Sequence, residues 1–403
     1  MEKKLITVTT KLQNIISLLF ILLFPMSSSS QEWSKDVITS DHLDIYNSRF
    51  DPARFGEHIS MSKDPKSIFI SSSKKLHFFT KKNEVWEEEI IFIIPDDGYE
   101  KKSIRDIQLS EDGNTVLVII GYEHYQQGIC FFENAVVLEK VDNAWIEKMI
   151  FDSHSLIHES ILISNINLIS HEKENIITIR TKNLDNDKSE LISLRKIAHL
   201  QWSKEIFNLY KENDKYSIYD LEFSKDRKTM AIILQYHTSP EKFEYKTALF
   251  EYENKWNQKY ITKLNLSPEA YNSVGYFYIY TSEDITIVKF FTQPRYNPQE
   301  VYFYYEKINN KWIEQKVLPV DKDFFESIST LSTDGNIFVV SEKENNKIHL
   351  FNKVGDHKWI NYHTFSFDEP EALSLNSIEM SKDNNYLMIG SPNLNQVFLF
   401  SKN

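Results

Sequence analysis

Seven tryptophans in this chain share one local context: "EWSKDVI" at Trp33, "VWEEEII" at Trp86, "AWIEKMI" at Trp145, "QWSKEIF" at Trp202, "KWNQKYI" at Trp256, "KWIEQKV" at Trp312 and "KWINYHT" at Trp359. Successive gaps are 53, 59, 57, 54, 56 and 47 residues. A pattern recurring at that spacing constrains the fold more than any bulk property, because each repeat is one supersecondary unit that buries its apolar face on its neighbours. After each Trp an apolar or long side chain returns at every second position, the period of a half-buried strand.

A second marker keeps step with the first. Ser62, Ser110, Ser170, Ser224, Ser282, Ser332 and Ser381 each close a short alternating segment, and two residues on stands an acid: Asp64, Asp112, Glu172, Asp226, Asp284, Asp334 or Asp383. Short side-chain oxygens that accept a backbone N–H, with Gly or Asn nearby to tolerate positive φ, are turn chemistry. Behind the turn comes an apolar strand such as "TVLVII" or "NIFVVS", then an aromatic-rich one such as "LHFFTK" or "IHLFNK", then the Trp strand. Four short antiparallel strands per repeat, with helical signals almost absent, is the period of a propeller blade.

The final unit "LNSIEMS…YLMIGSP…QVFLFSKN" ends without a Trp strand, and "QEWSKDVITS" near the N-terminus supplies one. The sequence therefore predicts an all-β, seven-bladed β-propeller whose last blade is closed by the N-terminal strand pairing with the C-terminal strands, in a single domain over 31–403.

Residues 1–30 read as a secretory signal peptide: a net-positive start, the apolar run "IISLLFILLF", and small residues in "PMSSSS" where a peptidase would cut. The run is shorter than the about 20 residues a bilayer span needs. A secreted or periplasmic address is expected, with membrane tethering by residues 5–24 as the alternative if the segment is uncleaved. The formal charge of −12 and the interleaving of Lys with Glu exclude a nucleic-acid surface. The single cysteine, Cys130 in "GICFFE", excludes an intramolecular disulfide and reads as a buried inert thiol. A monomer is expected.

Two stretches carry a family resemblance. "RFGEHISMSKDPKSIFISSSKKLHFFTKKNEVWEEEIIF" at 54–92 and "LNSIEMSKDNNYLMIGSPNLNQVFLFSK" at 375–402 resemble the FG-GAP repeats of integrin-α-like seven-bladed propellers. Phe55-Gly56 matches the opening dipeptide, and Gly390-Ser391-Pro392 the small-residue turn. The middle units match only in strand order, the Ser-x-acid turn and the Trp. Family members often hold calcium between first and second strands with alternating acids. Here each turn offers one acid, too few for the six or more oxygens calcium takes, so no metal and no cofactor are expected.

Loops joining second to third strands vary most and hold the candidate ligand-binding residues. They are Tyr122, His124 and Tyr125 in "GYEHYQQG", Tyr236, His237, Phe243 and Tyr245 in "QYHTSPEKFEYK", and Arg295 and Tyr296 in "TQPRYNPQE". Aromatics with Arg in loops supply large contact area at low entropic cost, which points to a protein or glycan ligand. Weaker candidates are His154, His158 and Glu159 in "HSLIHE" for zinc, read as loop histidines without the HExxH order, and Asp185, Asp187 and Glu190 in "NLDNDKSE" for calcium, read as a solvated turn. Neither a nucleophile elbow nor a Gly-rich phosphate loop is present. The expected role is a non-catalytic scaffold. The alternative is a propeller-type carbohydrate hydrolase or lyase, which would gather acids, His or Arg with perturbed pKa around a central channel.

Overall fold

The computed structural model describes residues 33–42, 54–62, 67–95, 102–110, 112–124, 129–152, 161–171, 174–183, 189–198, 201–207, 216–224, 228–239, 242–253, 256–264, 275–282, 284–292, 300–315, 329–342, 346–355, 358–367 and 375–403. Described residues within 35–401 cluster as one compact unit, and residues 33–34 and 402–403 as another. The segment 1–30 lies outside the described residues. No described helix is long and apolar enough to cross a membrane.

Among the described residues there are 28 strands and no helix, and the strands form seven four-stranded sheets. Sheet 1 is β2 (Ile59–Met61), β3 (Ser67–Ser71), β4 (Lys75–Lys82) and β5 (Val85–Ile93). Sheet 2 is β6 (Lys102–Leu109), β7 (Thr115–His124), β8 (Ile129–Val141) and β9 (Ala144–Asp152). Sheet 3 is β10 (Ile161–His171), β11 (Glu174–Asn183), β12 (Ser189–Ala198) and β13 (Gln201–Phe207). Sheet 4 is β14 (Tyr216–Phe223), β15 (Thr229–Ser239), β16 (Lys242–Tyr252) and β17 (Trp256–Lys263). Sheet 5 is β18 (Gly275–Thr281), β19 (Ile285–Thr292), β20 (Glu300–Ile308) and β21 (Lys311–Gln315). Sheet 6 is β22 (Ser329–Leu331), β23 (Ile337–Glu342), β24 (Lys347–Val354) and β25 (Lys358–Ser366). Sheet 7 takes β26 (Ser377–Met380), β27 (Tyr386–Ser391) and β28 (Gln396–Lys402) and sets β1 (Trp33–Ile38) beside β28 as its fourth strand. Each Trp lies in the fourth strand of its sheet, as the repeat predicts.

The local chemistry explains the hairpins. Third and fourth strands are joined by two-residue turns in the left-handed region, Asn83-Glu84, Asp142-Asn143 and Asn309-Asn310, the geometry that matches the twist of the strands it connects. Between first and second strands the serine does the work. Ser110 Oγ accepts the Thr115 N–H at 2.8 Å and donates to Asp112 Oδ1 at 2.6 Å, while Asp112 accepts the Asn114 N–H at 3.0 Å. The same three bonds recur at Ser332-Asp334-Asn336 with Ile337, and at Ser381-Asp383-Asn385 with Tyr386. Ser170 departs from this pattern and lies inside β10, which pairs onward to His171.

Consecutive sheets pack face to face through apolar clusters. Phe69, Phe78 and Phe92 of sheet 1 meet Ile104, Val116 and Val136 of sheet 2; Leu117 and Val137 meet Ile166 and Ile177 of sheet 3. Ile176 joins Leu221 and Ile232 of sheet 4, Ala231 and Leu249 join Val288 and Tyr305 of sheet 5, and Ile287 and Tyr304 join Phe338 and Val340 of sheet 6. Phe365 of sheet 6 lies 4.0 Å, centroid to centroid, from Phe400 of sheet 7, and Met388, Val397 and Leu399 of sheet 7 pack on Ile59, Ile68 and Ile70 of sheet 1. Trp86, Trp145, Trp256, Trp312 and Trp359 each enter the cluster shared with the preceding sheet.

Third strands are also stapled to one another. Glu139 of β8 pairs with Lys196 of β12 at 3.0 Å, Glu251 of β16 with Lys307 of β20 at 3.0 Å, and Glu306 of β20 with Lys353 of β24. In each pair the acid belongs to one sheet and the lysine to the next.

Candidate functional site

The candidate ligand-binding residues lie less in loops than their composition predicts. β7 runs through Tyr122 to His124, paired with Phe131 and Ile129, and β15 and β16 carry Tyr236 opposite Glu244 and His237 opposite Phe243. Sequence reading took these polar and aromatic stretches for loop because turn-like residues interrupt them; the alternation of side chains nevertheless continues, so second and third strands extend into hairpin arms. Tyr125, Arg295 and Tyr296 lie outside the described residues, as do His154, His158, Glu159, Asp185 and Asp187.

On the sheet 4 arm, Tyr236 is half-buried with the Lys246 ammonium 4.2 Å from its ring centroid, and Lys263 binds Glu244 beside it at 2.8 Å. Tyr245 does not belong to a contact surface. It is buried in the cluster shared by sheets 4 and 5, takes a hydrogen bond from Gln235 Nε2 at 3.0 Å, and burial raises its phenol pKa. One step of strand register separates it from Glu244, which is half-buried and lies on the opposite face of the strand.

Elsewhere in the structure, a cavity of about 480 Å³ is lined by first strands of sheets 1, 2, 3, 4 and 7, with His58, Asp106, Gln108, Glu222, Glu379 and Lys382 as its polar groups of note. The sequence signal for it is a polar residue two places before the turn serine: Ser60, Gln108, Glu222 and Glu379. Two of these side chains knit strands together. Gln108 donates to the Ile166 carbonyl at 3.2 Å and accepts the Leu168 N–H at 2.6 Å, bridging sheets 2 and 3. Glu379 Oε2 accepts the Met61 N–H at 3.2 Å, bridging sheets 7 and 1. Asp106 follows a bulge in β6 and spends its oxygens on the Ile107 N–H and on Gln108. His58 is pushed down to about 4 by burial, then by the Arg105 and Arg54 charges, so its imidazole is neutral at pH 7.

No group of three His, Cys, Asp or Glu among the described residues could hold a metal ion. In the turns, Asp112, Asp334 and Asp383 feel burial pushing their carboxyls up, but hydrogen bonds from Ser and Asn outweigh it and hold them below the usual carboxylate range.

No protein-family profile matches the chain, the FG-GAP repeat included, and no curated protein sequence is similar to it. Solved structures are similar to it at low identity, each with a TM-score under 0.5. A hydrazine synthase chain of Kuenenia stuttgartiensis superposes with a TM-score of 0.49 at 11% identity, covering 89% of this chain and 99% of that one. A 6-phosphogluconolactonase candidate of Bacteroides uniformis gives 0.44 at 10%, covering 78% and 86%. A prolyl endopeptidase structure gives 0.49 at 10%, covering 95% of this chain and 50% of its own length. At such identities and scores neither fold nor chemistry carries over from these proteins.

Proposed function

We propose that the chain is a closed seven-bladed propeller, related in its first and last blades to FG-GAP repeats, and that it acts as a secreted or periplasmic, non-catalytic scaffold. On this reading it binds a protein or glycan through the hairpin arms of blades two and four and the neighbouring Arg295-Tyr296 segment. One observation carries the proposal: the arms are long on one group of sheets and short on another. β7 and β8 have 10 and 13 residues and β15 and β16 have 11 each, whereas β3 and β4 have 5 and 8 and β27 and β28 have 6 and 7. Packing within a sheet does not require that extra length, and it brings Tyr122, His124, Tyr236, His237 and Phe243 to the distal part of each arm.

The rival reading, a carbohydrate hydrolase or lyase acting in the cavity, is supported by its volume and carboxylates. Against it, the Asp106 oxygens and Glu379 Oε2 are engaged by N–H groups, a structural use of those carboxylates. The deciding experiment presents residues 31–403 as bait to a surface extract and a glycan panel, beside a variant with Tyr125, Tyr236, Phe243 and Tyr296 changed to Ser. Capture by the parent alone supports the scaffold. Equal capture, or none with the fold intact, removes the arms from consideration. N-terminal sequencing of exported material tests the address, with a mature start near Ser30 expected.

A further inference from the structure

Two histidines occupy one structural position in different sheets. His77 of β4 stands opposite Ile70, and His349 of β24 stands opposite Val340. Both are buried, and each ring is gripped at both nitrogens, but by different groups. In sheet 6, Glu342 Oε2 lies 2.9 Å from His349 Nε2, and Asn361 Nδ2 lies 3.0 Å from Nδ1. In sheet 1 the positions of Glu342 and Asn361 are taken by Ser72 and Glu88, so acid and neutral partner change sides.

That exchange alters the chemistry. Glu88 Oε1 lies 2.6 Å from His77 Nδ1 and Ser72 Oγ lies 3.0 Å from Nε2. An ionised carboxylate only accepts, so the ring proton sits on Nδ1 and Nε2 presents its lone pair to the Ser72 hydroxyl. Ser40 Oγ donates to the same Glu88 oxygen at 2.5 Å and fixes the carboxylate. The Lys75 carbonyl, 3.4 Å from Ser72 Oγ, is the more distant acceptor for the hydroxyl proton. Burial, helped by the nearby Lys75 and His42 charges, lowers the His77 pKa against the pull of Glu88, which keeps the ring a neutral base. Serine, imidazole and carboxylate in this order is the arrangement that activates a hydroxyl for acyl transfer on unrelated folds.

We propose that Ser72 is an activated hydroxyl, a modification site that takes an acyl or phosphoryl group from a small activated acyl or phosphoryl donor, with His77 receiving its proton and Glu88 orienting the ring. Ser72 Oγ bonds to the electrophilic carbon or phosphorus as its proton passes to Nε2. The leaving group departs with the bonding electrons and takes that proton from Nε2, leaving a serine ester. Ser72 opens the turn from β3 to β4 and is 4% exposed, which restricts the donor to small reagents. This goes beyond the scaffold reading and requires no turnover.

The test treats the native full-length chain at pH 7.5 with a small dialkyl fluorophosphate, in which the P–F bond breaks and fluoride leaves, and maps adducts by intact mass and peptide sequencing. The expected result is one adduct on Ser72, formed about 100-fold faster than on any other serine, the scale of general-base assistance. It disappears in Ser72→Ala, slows at least about tenfold in Glu88→Gln, and vanishes when the chain is unfolded in urea before reagent is added. Circular dichroism of the folded Ser72→Ala and Glu88→Gln proteins separates lost reactivity from lost structure. If Ser72 only satisfies the buried ring, the folded parent acquires no preferential Ser72 adduct, or Glu88→Gln labels at the parental rate; either result overturns the proposal.

Discussion

Gly390 in the last sheet lies against the backbone of Gly56 at the edge of the first. A side-chain carbon placed on Gly390 would come within 2.0 Å of the Gly56 carbonyl oxygen and 2.3 Å of Ser377 Oγ, which itself donates to that carbonyl at 3.0 Å. From the other side, the Phe55 N–H is held by Asn395 Oδ1 at 3.3 Å. The Phe55-Gly56 dipeptide and the Gly390-Ser391-Pro392 turn, which carry the family resemblance, are therefore parts of a single contact between distant parts of the chain.

Gly390→Ala is accordingly expected to cost about 3 kcal/mol, at the upper end of overpacking effects, because its obstacle is backbone that cannot rotate away. Gly355→Ala is the control: nothing lies within 4 Å of the added carbon, and at φ +63 it pays only the left-handed penalty of roughly 1–2 kcal/mol. Urea denaturation of both variants checks the order.

Deleting residues 395–403 removes β28, the partner of both β27 and β1. If the sheets are one cooperative ring, amide protection falls in sheet 4 as well as sheet 7, a response readable by hydrogen exchange at Met230–Leu234. Full protection there would mean that the sheets stand independently.

Glu306 is nearly buried and pairs with Lys353. Lys353→Met removes the cation paired with this buried carboxylate and is expected to cost roughly 3–5 kcal/mol, whereas Lys353→Met combined with Glu306→Leu recovers most of it. A double-mutant cycle measured by denaturant midpoint gives the coupling.

The turn serine is expected to matter more than its acid. Ser332→Ala strands the buried Ile337 N–H at a cost of about 1–3 kcal/mol, while Asp334 binds solvent-exposed Asn336 and its loss is expected to cost about 1 kcal/mol. Thermal midpoints of the two variants that reverse this order would sink the assignment.

Acid should weaken the fold through its buried histidines. His58 is pushed down to about 4, and burial lowers His77 and His363 as well. The unfolded chain binds these protons near 6.5 and the folded chain does not, so stability is full above that value and falls with pH down to the folded pKa. For His58 the window closes at about pH 4. His58→Gln should flatten the melting temperature profile between those limits; a profile that keeps its slope assigns the effect to other groups.

Strand count and order were legible because Trp and Ser-x-Asp recur with their hydrogen bonds intact, as Ser110, Ser332 and Ser381 demonstrate. The arms were not, since Tyr236 and His237 look like loop chemistry and only pairing with Glu244 and Phe243 makes them strand. Tyr245 was misassigned for a related reason: aromatic content does not say which face of a strand is inward. Gln108, Glu379 and the Ser72–His77–Glu88 arrangement depend on neighbours far apart in sequence or on a bulge, so no linear pattern announces them. The bulge beside His77, which offsets the β4–β5 register, is invisible in "LHFF".

The staggered acid-to-lysine pairs between third strands give three junctions, between sheets 2 and 3, 4 and 5, and 5 and 6, an acidic side and a basic side. The repeats are thus addressed to particular neighbours. A gene that lost sheet 5 by recombination between repeats would leave Glu251 facing Lys353, an acceptable match, but would discard the Trp312 indole that also binds Glu251 at 2.9 Å. Loss of sheet 3 would instead bring Glu139 beside Tyr252, with no cation to meet it. Repeat number in such a chain is guarded unevenly, junction by junction, by side chains that never approach a ligand.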